Sequence, residues 1–161
     1  MAMEKTALLD LLRQKFPGEV KEALTDLGDE AIVIEKDSLL GVVRFLRGQP
    51  HQYNLLLDLT CVDYSGQEPR FEMVYHLYSL PQNKRLRIKT RLSEKELRIA
   101  SLTELWKNAN WLEREVYDLF GVNFEGHPDL RRIFMYDGFE GYPLRKDYPL
   151  RKRQPRLRLR E

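Results

Sequence analysis

Residues 85–92 read RLRIKTRL: Leu86, Ile88, Thr90 and Leu92 alternate strictly with Arg85, Arg87, Lys89 and Arg91. A strand sends successive side chains to opposite faces, so this stretch predicts a half-buried strand with a basic solvent face. Two more strand candidates precede it, roughly 53–64 and 71–80, set off by the turn-like segments SGQEP and PQNK. Strands joined by such short turns pair antiparallel, because parallel neighbours need a long crossover. A sheet must therefore form the centre of the fold.

Helical periodicity flanks this meander. Leu8, Leu9, Leu11, Leu12 and Phe16 recur at helical spacing, and Pro17-Gly18 ends the segment. EAIVIEK reads as a short strand. Asp37 or Ser38 is placed to cap a second helix with Leu39, Val42, Val43 and Leu46 inward, ending near Gly48-Gln49-Pro50. A third helical region spans 101–122. Ser101 with Glu104 fits a capping box, and Asn110 is placed to cap a second segment with Glu113 at its third position. Leu112, Val116, Leu119 and Phe120 line one face, and Gly121 stands where a left-handed residue closes a helix. The pattern predicts an α+β fold, a two-layer domain with a mostly antiparallel sheet and a few helices.

Beyond residue 122 the periodicity disappears. Gly and Pro recur from Gly126 to Pro155, as do the aromatics Phe134, Tyr136, Phe139, Tyr142 and Tyr148. The expected organisation is an α+β body over 1–122 and an extended C-terminal strap over 123–161. So many aromatics argue against disorder. A long ordered strap needs a surface, and a partner protein is the expected supplier.

At 161 residues one domain is expected. The net charge of +2 hides an asymmetry: from Arg131 to Glu161 ten basic residues face four acids, an excess of +6 over a body of −4. Such a basic end fits an anionic partner: RNA, lipid headgroups or an acidic protein face. No apolar run approaches the ~20 residues of a membrane span. The N-terminus carries early acids and no cleavage site, so an intracellular chain is expected. The single Cys61 cannot form an internal disulfide or supply the thiolates of an iron–sulfur cluster. Its mid-strand position reads as a buried, inert thiol.

Three constellations hold candidate chemistry. Glu115 and Asp118 sit three apart on one helix, as paired carboxylates for acid–base work or metal binding would; the plainer reading is a solvated face with an Arg114–Asp118 pair. His127 could join them on a metal, but ahead of Pro-Asp it reads more simply as a turn-stabilising hydrogen bonder. The tail RKRQPRLRLR could hold phosphates, yet no RNA-binding signature accompanies it, so nucleic acid is not expected. No nucleophile-elbow, phosphate-loop, dinucleotide or zinc-protease motif occurs. Aromatics and Arg are enriched at interface hot spots, so the strap reads best as a protein-docking element.

Three ordered motifs then narrow the field. Glu113, Arg114, Glu115, Asp118, Phe120 and Gly121 form E-R-E-x-x-D-x-F-G; His127–Ile133 form H-P-D-L-R-R-I; Gly141–Pro149 form G-x-P-L-R-K-D-Y-P. With LLDLTCVDY and FEMVYHLYSL upstream, the chain resembles the 30-kDa subunit family of respiratory complex I, the proton-translocating NADH:quinone oxidoreductase, over roughly residues 8–150. The resemblance implies a non-catalytic structural subunit of the peripheral arm, on the cytoplasmic side of the cell inner membrane. It also implies an obligate hetero-oligomer, reaching the membrane only through the complex and packing chiefly on the large quinone-site subunit. FMN, iron–sulfur clusters and quinone are expected on partner subunits and no cofactor here. A related membrane-bound hydrogenase or another electron-input complex uses a similar subunit and is the alternative. Arg131, Arg132, Phe134, Tyr136, Phe139, Tyr142, Arg145, Lys146 and Tyr148 are then the expected partner interface, the cations meeting carboxylates of the large subunit. Glu113, Glu115, Asp118 and His127 are expected to orient the strap, with Glu115 and Asp118 alternatively pairing with those same arginines. Position 142 is Tyr where many relatives have His, so no titrating role is carried over. Some relatives are fused to the protein that follows them in the complex; this sequence ends at Glu161, so a separate polypeptide is expected.

Overall fold

The computed structural model describes residues 3–26, 29–151 and 153–155. Its centre is a five-stranded sheet in the order β1-β2-β5-β4-β3. The strands are β1 (Val20–Asp26), β2 (Asp29–Ile34), β3 (Leu55–Asp63), β4 (Phe71–Ser79) and β5 (Lys84–Leu92). The expected meander is present: β3 pairs antiparallel with β4, and β4 with β5. The sheet is nevertheless mixed, because β5 closes parallel on β2. Two antiparallel steps give β3 and β5 the same sense, so β2 and β3 also run alike. The chain between them must cross over, and helix α2 (Leu39–Arg47) makes that crossover.

β1 carries no strong strand signal. Its sequence VKEALTD interrupts the apolar positions with Lys21, Glu22 and Asp26, which an edge strand tolerates. It forms because it pairs with β2, a tertiary fact.

Cross-strand rows explain the core. Leu59, Tyr75, Ile88 and Ile32 lie in one row, and Cys61, Met73, Thr90 and Ile34 in the next. These residues are buried and pack with Leu9 and Leu12 of α1 (Met3–Lys15), Leu39, Val42, Val43 and Leu46 of α2, and Val116 of α3 (Ala109–Phe120). The helices thus cover one sheet face. Leu11 lies instead on the exposed side of α1.

The third helical region departs from expectation. Residues 101–108 form turns, and α3 begins at Ala109 after Asn108, so neither the Ser101–Glu104 box nor the Asn110 cap forms. Other demands claim these side chains. Asn108 Nδ2 donates to Leu56 O at 2.8 Å and Trp106 Nε1 to Asn54 O at 3.0 Å, satisfying carbonyls at the start of edge strand β3. Glu104 is exposed and pairs with Arg44. After α3, β7 (Asn123–Glu125) pairs in parallel with β6 (Arg98–Ala100). The first residues of the segment expected as strap therefore belong to this small sheet.

Ile88 is fully buried at the centre of the sheet. Ile88→Ala should lower stability by about 2–5 kcal/mol, read as a reduced urea midpoint with an unchanged m-value.

Candidate interface: the strap and its anchors

From Gly126 to Pro155 the described residues contain no helix or strand. The segment is ordered by side-chain-to-backbone bonds onto its own body, at three places that the sequence alone does not bring together.

The first is Asp118. Its side chain is fully buried. Oδ2 accepts from the backbone N–H groups of Ile133 (3.0 Å), Phe134 (2.7 Å) and Met135 (2.9 Å). Oδ1 accepts from Arg132 Nη1 at 2.8 Å. Successive N–H groups form a concave anion site, here filled by a carboxylate from α3. Burial pushes the Asp118 carboxyl up, but the three N–H donors and Arg132 outweigh it, holding the group below the usual carboxylate range. One turn earlier, Arg114 donates from Nε to Arg131 O at 3.0 Å and from Nη2 to Arg132 O at 3.1 Å. The expected Arg114–Asp118 pair gives way to these separate strap contacts.

The second anchor is the C-terminus of α3. Gly121 adopts φ +81° and closes the helix, as its position predicts. The last carbonyls of a helix lack internal partners, and the strap supplies them. Leu144 N donates to Leu119 O at 3.1 Å, and Arg145 Nε to Phe120 O at 2.6 Å. A cation here also answers the negative end of the helix dipole. Arg145 lies between two rings, 4.6 Å from the Tyr142 centroid and 5.1 Å from that of Phe71. A Cβ on residue 121 would come within 2.6 Å of the Tyr142 ring and 2.9 Å of the Arg145 guanidinium, so glycine is needed for space as well as for its positive φ.

The third is Arg70, just before β4. It grips Asp63 with two bonds, Nε to Oδ1 at 2.8 Å and Nη2 to Oδ2 at 2.7 Å. It also reaches Glu94 at 3.0 Å and Asp147 of the strap at 3.0 Å. Asp63 in turn accepts the backbone N–H of Lys146 at 2.8 Å. The Arg70 bonds, opposed by burial, hold the Asp63 carboxyl low; the same guanidinium lowers Asp147.

Beyond these anchors the strap packs on itself. Tyr136 meets Phe139 edge-on, and Phe139 stacks on Tyr148. Gln154 and Glu140 exchange two bonds of 3.0 Å, and Tyr136 Oη donates to Pro155 O at 2.8 Å. Lys152 and 156–161, most of the basic tail, lie outside the described residues.

The structure thus uses the expected interface residues unevenly. Arg132 and Arg145 face inward contacts of this chain rather than leaving their charge for a partner, because Asp118 and the α3 carbonyls need donors. Arg131 is exposed and pairs with Asp129, and the Lys146 side chain is exposed. Phe134 is 58% exposed, while Tyr136, Phe139, Tyr142 and Tyr148 are half-buried.

Among the orienting residues, Asp118 touches the strap directly. His127 closes a turn: Nδ1 accepts from Asp129 N at 3.0 Å, and Nε2 lies 3.2 Å from Asn110 O. Glu115 is exposed and Asp118 fully buried, so the two carboxylates and His127 share no pocket. Glu113 faces away from the strap, accepting from Ser101 Oγ at 2.7 Å and Leu102 N at 2.6 Å. Burial pushes its carboxyl up to about 7 against the pull of those two bonds. Among the described residues, no three His, Cys, Asp or Glu side chains gather as metal ligands would. The Cys61 thiol is pushed up to about 12 by burial and by Asp63, which leaves it protonated and unreactive near neutrality. Asp63, Arg70, Glu94 and Asp147 escape a sequence reading: the first three are ordinary charges beside an element's end and the last is one more charge of the strap until folding joins them.

Comparison with known proteins agrees with this architecture. The model of the respiratory-chain NADH dehydrogenase 30-kDa subunit family matches residues 32–154, and the chain belongs to that family. It is 46% identical over 150 residues to a NADH-quinone oxidoreductase subunit of Geotalea uraniireducens, covering 93% of this chain and 90% of that one. The same subunit from Geobacter sulfurreducens is also 46% identical, over 93% and 92% of the two chains. Among solved structures, a trypsin-resistant fragment (1–134) of Nqo5 superposes with a TM-score of 0.69 at 33% identity, covering 81% of this chain and all of the fragment. A chain of the membrane-bound sulfane sulfur reductase, an archaeal respiratory membrane complex, gives 0.76 at 25% identity, over 91% and 86% of the chains.

Asp118→Ala should cost about 3–5 kcal/mol, since Arg132 and three N–H groups lose their buried acceptor. Limited trypsin digestion should then cut after Arg131, Arg132 or Arg145 far faster than in the parent. Glu113 sets a separate pH window. Its folded carboxyl holds a proton up to about 7, whereas the ordinary value is 4.5, so stability is fullest below 4.5 and falls as pH rises through about 7. Glu113→Gln should remove that decline from urea midpoints measured between pH 5 and 8.

Proposed function

We propose that this chain is a non-catalytic scaffold of the peripheral arm of NADH:quinone oxidoreductase, on the cytoplasmic side of the inner membrane. Its strap, whose described residues from 126 to 155 fold on its own body, presents an outer surface to the large quinone-site subunit. Flavin, clusters and quinone reside on partner subunits, and this chain contributes shape and contact area. On this reading attachment runs through the complex; no helix of the described residues is long and apolar enough to cross a membrane.

The observation that carries this reading is how the strap is used. Arg132, Arg145 and the backbone donors of 133–135 are consumed internally, while large apolar groups remain outside. Phe134, Leu144 and Leu150 are 58%, 51% and 98% exposed, and Trp111 on the neighbouring α3 is 57% exposed. Trp111 joins this surface through Arg114, whose guanidinium lies 5.2 Å from its ring centroid while binding the carbonyls beside Phe134. Sequence reasoning omits Trp111, which looks like one more helical aromatic. Prebuilt aromatic anchors suit a tight interface, because little ordering entropy is lost on docking. The sulfane sulfur reductase chain shares the fold, but the higher identity of the NADH-quinone oxidoreductase relatives favours that complex.

Phe134→Asp should leave the urea midpoint of the isolated chain unchanged. It should weaken retention of cluster-bearing subunits from solubilised native membranes by roughly 30-fold or more, the effect of a hot spot worth about 2 kcal/mol. Normal recovery of the full set would show that the strap's outer face is not the docking face.

A further inference from the structure

We propose that the face of the five-stranded sheet opposite the helices, left open among the described residues, is a second docking surface, taking an acidic segment of a neighbouring protein in the assembly. This rests on the assembly reading above but concerns the side of the molecule opposite the helices.

The register puts Arg85, Arg87, Lys89 and Arg91 of β5 on this face, opposite Tyr78, His76, Val74 and Glu72 of β4. Cations two residues apart on a strand stand about 7 Å apart, so the row extends for roughly 20 Å. One acid of β4 meets it: Glu72, nearly buried, bonds Lys89 at 2.9 Å and lies 3.4 Å from Arg91. Asp58 of β3 and Glu22 of β1 share this face by register, so the four cations of the row stand against three carboxylates among the described side chains and the charge stays net positive, with Arg85 and Arg91 exposed. The face is not purely polar. Leu57 is 48% and Leu55 37% exposed on β3. A cleft of about 280 Å³ opens there, lined by Leu57, Asp58, His76, Leu77 and Arg85.

A basic row beside a cleft with Leu57 and Leu77 in its wall selects its ligand. The row complements carboxylates, and the cleft has room for one apolar side chain that a bare polyphosphate lacks. An acidic peptide segment with an apolar anchor satisfies both. Electrostatic complementarity of this kind sets register and rejects basic partners.

The test is site-specific photo-crosslinking in native membranes. A benzophenone amino acid replaces Thr60, exposed on this face, or, separately, Phe134 on the strap. Both sites should give adducts, and the Thr60 adduct should map to a segment of another protein of the complex rich in Asp and Glu. Arg85→Glu with Lys89→Gln should cut the Thr60 adduct by about tenfold or more and spare the Phe134 adduct, whose survival shows that the chain still folds. Adducts at Phe134 alone would overturn the second surface and leave the assembly reading standing. A Thr60 adduct to lipid, nucleic acid or a segment without acidic excess would likewise overturn it. Absence of adducts at both sites would overturn both readings.

Discussion

A carboxylate with no exposure to water needs donors on every side, and Asp118 finds them in a stretch of chain with no secondary structure of its own. Three consecutive strap N–H groups and Arg132 converge on it. The dependence is mutual. The strap residues 133–135 gain the acceptor that a helix or strand would have given them, and the buried charge gains its solvation shell. Arg114, Arg145 and Arg70 repeat the device at neighbouring points, binding backbone or carboxylate rather than leaving charge on the surface. The strap is in this sense an extension of the body, written in side-chain bonds instead of a ladder.

That arrangement bears on assembly. A segment that ordered only on its partner would lose conformational entropy at docking, about 1–2 kcal/mol for each residue fixed. Here much of the ordering belongs to the fold. Phe134, Trp111 and Leu144 stand on a preformed surface, while the guanidinium groups beneath them keep it in place. Gly121 shows how tightly the two layers are matched: both its positive φ and the contact with Tyr142 and Arg145 exclude a side chain there.

The core tells a complementary story. Tyr75 and Glu113 are buried among apolar residues, and each is pushed toward its neutral form, Tyr75 by burial and by Glu113 itself. Glu113 fastens the 101–103 turn to α3, the role expected of Glu104 in a capping box. Ser101 lies three residues from Glu104 in sequence and twelve from Glu113, yet it bonds Glu113. Packing of the helix against the sheet decides between them, because it turns position 113 inward and leaves 104 in water.

By itself, the sequence determined the elements with strong periodicity. The alternation of β5, the two hairpins of the meander, the apolar face of α2 and the glycine stop of α3 were all legible, because each is a local pattern imposed by a half-buried surface. It also determined that the segment after α3 would be aromatic, basic and without regular structure, and its motifs pointed to the family. Only the tertiary structure decided that β1 exists, that β5 closes parallel on β2, and that Asp118 serves the strap while Glu113 and Glu115 do not. These depend on pairs of residues far apart in the chain, such as Arg70 with Asp147 and Asp63 with Lys146. A lone charge carries no mark of its partner until folding removes both from water.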